Sequence, residues 1–123
     1  MNQEMTQGRV LRAEKVTFSP FSLPGFTGGT AAAFLNTDTT QAPFVALLRL
    51  EPGAVLARHY HPKAIEAVYV LDGEMINDGE RLARGSMLSH GPGVLHGPHA
   101  TETGCTLMFI QYPGVGPDDS VFV

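Results

Sequence analysis

The chain has 123 residues, 43% of them apolar and 16% charged, with a formal net charge of −4. That length suits a single domain with a core of its own. There is no basic run to hold nucleic acid or an anionic membrane surface, no apolar stretch near the ~18 residues that cross a bilayer, and, with Cys105 alone, no internal disulfide framework.

The polar start MNQEMTQGRV lacks the charged-then-apolar pattern of a secretory signal, so a reducing, cytoplasmic setting is expected. Residues 1–8 are expected to be flexible, 9–112 to form one domain and 113–123 to be a tail. VLRAEKVTF (10–18) alternates as a strand does, whereas SPFSLPGFTGGT (19–30), with two Pro and three Gly, reads as loop. TAAAFLNT (30–37) and PFVALLRL (43–50) are apolar runs whose lengths suit strands. Pro52-Gly53 is a turn pair, and IEAVYVL (65–71) is a β-branched and aromatic strand closed by Asp72-Gly73. EMIN (74–77) and ERLA (80–83) flank Asp78-Gly79, a two-residue hairpin signal. Gly85 and Gly91-Pro92-Gly93 bracket SMLSH, and GCTLMFIQY (104–112) is the last clear strand. No segment makes a convincing helix. Short strands with a turn about every ten residues predict an all-β sandwich or barrel.

The chemistry concentrates in HYHPKAIE (59–66). All five histidines fall between positions 59 and 99. In a strand, residues two apart share a face, so His59 and His61 point together with Cα atoms ~6.6 Å apart. Pro62 interrupts the strand and lets the chain turn, so that Glu66 can return a carboxylate to the same point. His96 arrives from a distant segment. The bland alternative is a solvated loop with two stray histidines. Against it stands the frame Gly53, His59, His61, Glu66, Gly73, which arises roughly once in ten thousand chains of this composition.

That frame, residues 53–73, resembles the first motif of the cupin family without a gap. Gly85, Gly93 and His96 fall at the spacings of the second cupin motif, residues 85–100. Gly91 stands there where the family usually has proline, and Ala100 where it often has asparagine. The resemblance covers roughly residues 43–112. It implies a small jelly roll (a double-stranded β-helix), a homodimer, and one divalent transition metal per chain held by His59, His61, Glu66 and His96.

Three neutral imidazoles and one carboxylate suit Fe, Mn, Ni, Cu, Co or Zn, with Fe expected for an oxygenase. The expected substrate is a small anionic chelator: a diketone enolate, a phenolate or an α-hydroxy acid. An oxygenase is the leading reading. A non-oxidative cyclase or isomerase, or a binding module without turnover, are the alternatives. No catalytic residue beyond the ligands is assigned. His99, three residues past His96, would face the other way in an extended strand and reads as a surface histidine. His90 could line the pocket or be a partly buried strand histidine. Gln111 is a candidate polar pocket group. Met75, Met87 and Cys105 read as core filler, and Asp118 and Asp119 as solvated tail residues.

Overall fold

The computed structural model describes residues 8–36, 43–113 and 118–123. Its strands are β1 (Ser19–Pro20), β2 (Phe26–Thr27), β3 (Thr30–Asn36), β4 (Phe44–Leu50), β5 (Val55–Leu56), β6 (His59–Tyr60), β7 (Ile65–Asn77), β8 (Glu80–Ala83), β9 (Met87–His90), β10 (His99–Ala100), β11 (Cys105–Tyr112) and β12 (Val121–Phe122). Every pairing is antiparallel, and the sheet runs β1-β3-β4-β11-β7-β10-β5-β2, with β8 and β9 also joined to β7 and a small β12-β6 ribbon beside it. The result is a curled all-β jelly-roll barrel, as expected.

Period-two alternation drives the curl inward. Phe44, Ala46, Leu48 and Leu50 of β4 are buried, and β11 buries Cys105, Leu107 and Gln111. Together with Val68, Val70 and Met75 they wall a dry interior. Each fully buried Leu, Val or Met side chain contributes ~1.5–3 kcal/mol against exposure.

Five expectations change. Residues 10–18 form no strand. They hold a short 3-10 turn at Ala13–Lys15, and Val10 and Leu11 are exposed. The alternation there is interrupted by Arg12, Glu14 and Lys15, which have nothing to gain from burial. Asp72-Gly73 does not end a strand either. β7 continues for 13 residues, because a bulge at Leu71 lets Val70 pair Leu107 while Asp72 pairs Thr106. The extra residue flips parity: Glu66, Val68 and Val70 face inward before it and Met75 after it. Residues 19–30 are loop except for the short β1 and β2, and the tail closes into β12 against β6. Met87 is 63% exposed, not core, while Met75 and Cys105 are buried as expected. Of the expected flexible stretch 1–8, all but Gly8 lies outside the described residues, as do 114–117 of the tail.

Gly73 sits at the bulge with φ +75°, and a methyl there would run into the Gly104 carbonyl. Gly79, in the Asp78-Gly79 hairpin turn, has φ +85° but open space around it. Gly73→Ala is therefore expected to destabilise by about 2–4 kcal/mol and Gly79→Ala by about 1–2 kcal/mol. Denaturant unfolding of the two variants side by side checks the order.

Candidate metal centre

His59, His61, Glu66 and His96 come together, and all four are buried. Each offers a ligand atom, and these atoms lie within 4.8 Å of one another. A transition metal with bonds of ~2.0–2.2 Å spans at most ~4.4 Å between opposed ligands, so only small side-chain shifts separate this cluster from a coordination shell.

Backbone pairing places each ligand. His59 and His96 bridge antiparallel, with amide-to-carbonyl distances of 3.0 and 2.9 Å. The Gly93 amide donates to the His61 carbonyl at 2.9 Å, so the loop carrying His96 is zipped to the strand carrying His59 and His61. Glu66 opens β7 on its inward face.

The hydrogen bonds decide which nitrogens point at the centre. Nδ1 of His59 lies 2.8 Å from the Ala57 carbonyl, Nδ1 of His96 lies 3.0 Å from Val94 O, and Nδ1 of His61 lies 2.7 Å from Asp119 O. A carbonyl only accepts, so each Nδ1 carries the proton, and in a neutral ring Nε2 is then a bare lone pair. Burial disfavours the charged ring and lowers the pKa of both His59 and His96, the latter to about 4. Their Nε2 atoms nevertheless stand 3.0 Å apart. Two acceptors with no proton between them repel. A cation placed among them, Glu66 and His61 resolves that repulsion, so the donor set fits the divalent metal that the motif implies.

Glu66 is held charged. Burial pushes its pKa up, but hydrogen bonds and charge from His61, His90 and Gln111 outweigh that and hold the carboxyl far below the usual range. His61 Nε2 lies 3.1 Å from Glu66 Oε2, so a protonated His61 ring is attracted to the carboxylate. Burial opposes protonation of His61, yet Glu66 and the Asp119 carbonyl prevail and raise its pKa.

The two residues left open both reach the centre. His90 and Gln111 lie directly opposite Glu66 on the neighbouring strands β9 and β11. Gln111 Nε2 donates to Oε2 at 2.7 Å, and His90 Nε2 lies 3.3 Å from Oε1. The His90 ring also stacks on His96 with centroids 3.5 Å apart. Two readings are overturned. His99 is fully buried, not a surface histidine, and its ring lies 5.7 Å from His59 and 5.6 Å from His96. Gly97, at φ +88°, turns the chain between His96 and His99, so strand parity does not carry across. Asp119 is buried as well. Its carboxylate accepts the Lys63 and Ala64 amides at 3.0 Å each, which ties the tail under the ligand strand, while Asp118 is exposed. Gln111 shares strand parity with Cys105 and Leu107, and the structure shows that face to be the buried one. No such signal existed for His90, His99 or Asp119.

A cavity of about 70 Å³ opens beside the ligands. Its polar lining is His59, His61, Glu66, Gln111 and Ser120, and among the described residues no Lys or Arg lines it.

His59→Ala and His96→Ala are each expected to weaken zinc or iron binding more than the roughly 10–100-fold expected for Gln111→Leu, which removes a partner of a ligand. Metal competition against a chromophoric chelator measures all three. The metal-free protein should also lose stability on acidification. Burial holds His96 at about 4 and His99 at about 3, against an ordinary value of 6.5. The unfolded chain therefore binds more protons over that interval, and stability falls as pH drops through it. The raised His61 acts oppositely, stabilising below 6.5 and losing that contribution as pH rises, but it is one group against His59, His96 and His99. Melting of chelator-treated protein from pH 7.5 to 4.5 checks this, and an unchanged melting temperature would contradict it.

Solved structures share the fold. An acetylacetone dioxygenase from Acinetobacter johnsonii superposes with a TM-score of 0.72 at 18% identity, covering 89% of this chain and 77% of that one. A polyketide cyclase from Streptomyces resistomycificus gives 0.70 at 18%, covering 85% and 79%. A cupin-like protein from Thermotoga maritima gives 0.70 at 25%, covering 85% and 84%. No curated protein sequence matches significantly. The profile of the ChrR cupin-like domain matches residues 6–114, nearly the whole chain, and the protein therefore belongs to the ChrR cupin-like domain family.

Proposed function

We propose that this protein is a metal-dependent cupin oxygenase acting on a small anionic chelating molecule such as a diketone enolate or a phenolate. The observation that carries the reading is the buried three-histidine, one-glutamate cluster facing a cavity without Lys or Arg. A divalent transition metal held by His59, His61, Glu66 and His96, iron in this reading, supplies Lewis acidity and one-electron chemistry toward dioxygen.

The chain's own residues set the rest. The ligand set offsets only one of the two positive charges, so the centre favours a monoanion. Among the described residues of the cavity wall there is no Lys or Arg to hold a phosphate or dicarboxylate. The apolar wall excludes water around the bound head group, which strengthens each electrostatic contact there. Gln111 and His90 keep the Glu66 carboxylate charged and oriented.

A non-oxidative cyclase or isomerase using the same ligands is the second reading, favoured by the shared fold of the polyketide cyclase. A homodimer is part of the proposal. The outward face of the sheet supports it, because Ile65, Met87 and Tyr112 lie exposed there on adjacent strands.

Protein loaded anaerobically with Fe(II) and then mixed with acetylacetonate or catechol in air-saturated buffer is expected to consume oxygen as substrate disappears. An oxygen electrode with product mass spectrometry measures both. Conversion without oxygen uptake would assign the cyclase or isomerase reading. Tight binding without conversion would leave a binding module.

A further inference from the structure

Six of the seven phenylalanines line the cavity beside the metal centre: Phe21, Phe26, Phe34, Phe44, Phe109 and Phe122. Five of them form a continuous edge-to-face chain. Ring centroids are 6.0 Å apart for Phe44 and Phe34, 5.5 Å for Phe34 and Phe21, 6.0 Å for Phe21 and Phe26, and 6.4 Å for Phe26 and Phe122. Both ends of the chain meet the centre. Phe122 lies 5.1 Å from the ligand His59, and Phe44 pairs directly opposite Gln111, whose amide holds the ligand Glu66. An aromatic belt thus runs from one ligand around the cavity to the partner of another.

The buried core cluster is built from Leu, Val, Ala, Met and Cys. Phe21, Phe26 and Phe109 pack against it and also line the cavity, so the wall there is aromatic. Rings joined edge to face present both positive edges and negative faces to an occupant, and an aromatic guest gains from these beyond its buried area. The cavity, about 70 Å³, is about half the ~150 Å³ that encloses a benzene molecule. Phe34 lines it and is 45% exposed. That volume would take the chelating oxygens of a ligand and leave a ring attached to them against the partly exposed Phe34 and its neighbour Phe21.

We propose that the site selects an aryl-bearing monoanionic chelator, such as an aryl-substituted 1,3-diketone enolate, over alkyl counterparts of equal size. This rests on the chelating-substrate reading above. The test uses zinc-loaded protein without oxygen and three probes: benzoylacetonate, its cyclohexyl counterpart and acetylacetonate. Affinities are measured by calorimetry and corrected for the affinity of each diketonate for free zinc. Benzoylacetonate is expected to bind about threefold or more tighter than the cyclohexyl compound and about tenfold or more tighter than acetylacetonate. In Phe34→Leu, a substitution at a half-exposed position, and in Phe21→Leu, the aryl-to-cyclohexyl ratio should shrink to within about twofold. Equal affinity for the aryl and cyclohexyl probes in the unsubstituted protein overturns aryl selection and leaves the chelating reading standing. Failure of all three probes to bind the zinc-loaded protein overturns the chelating reading, and this inference with it.

Discussion

Two bare imidazole nitrogens held 3.0 Å apart, with a third imidazole and a charged carboxylate beside them, are the constraint around which the structure is arranged. Burying such a set without compensation is costly, because neither the lone pairs nor the carboxylate can turn to water. The protein does not let the rings rotate away. The carbonyls of Ala57, Val94 and Asp119 each pin one Nδ1, and they come from three separate segments. The backbone thus fixes the orientation of each ring in the cluster.

One strand connects this centre to the rest of the molecule. β7 carries Glu66 at its start and Met75 near its end, and the bulge at Leu71 lets both face inward despite their opposite parity. Without the extra residue, a strand of 13 residues would turn one of the two toward solvent. The same register lines up His90, Glu66, Gln111 and Phe44 across four neighbouring strands. That row joins the charged centre to the aromatic wall, so the shape of the cavity and the state of the carboxylate are set by one alignment.

The candidate ligands were legible as a cluster in the sequence because three of them lie within eight residues and strand geometry makes His59 and His61 neighbours. The turns at Pro52-Gly53 and Asp78-Gly79 were legible for a similar reason, since their residues act through their own backbone angles. Asp72-Gly73 carries the same local signal and misled. Pairing with β11 and then β8 carries the strand through this point, and Gly73 is a left-handed residue within it rather than a strand end. The alternation in 10–18 misled as well, since a pattern without a partner strand has nothing to pair with.

His90, His99 and Asp119 were placed by contacts across the fold. His90 reaches Glu66 through strand register, His99 is turned inward by Gly97, and Asp119 returns from the far end of the chain to cap residues 63 and 64. By itself the sequence determined the all-β class, the family frame and the identity of the four candidate ligands, because those depend on residue type and short-range spacing. The tertiary structure alone decided which nitrogen each histidine presents, what holds the glutamate, and that the phenylalanines gather around one cavity. Those depend on which strands lie side by side, and adjacency between distant segments leaves no mark in local spacing.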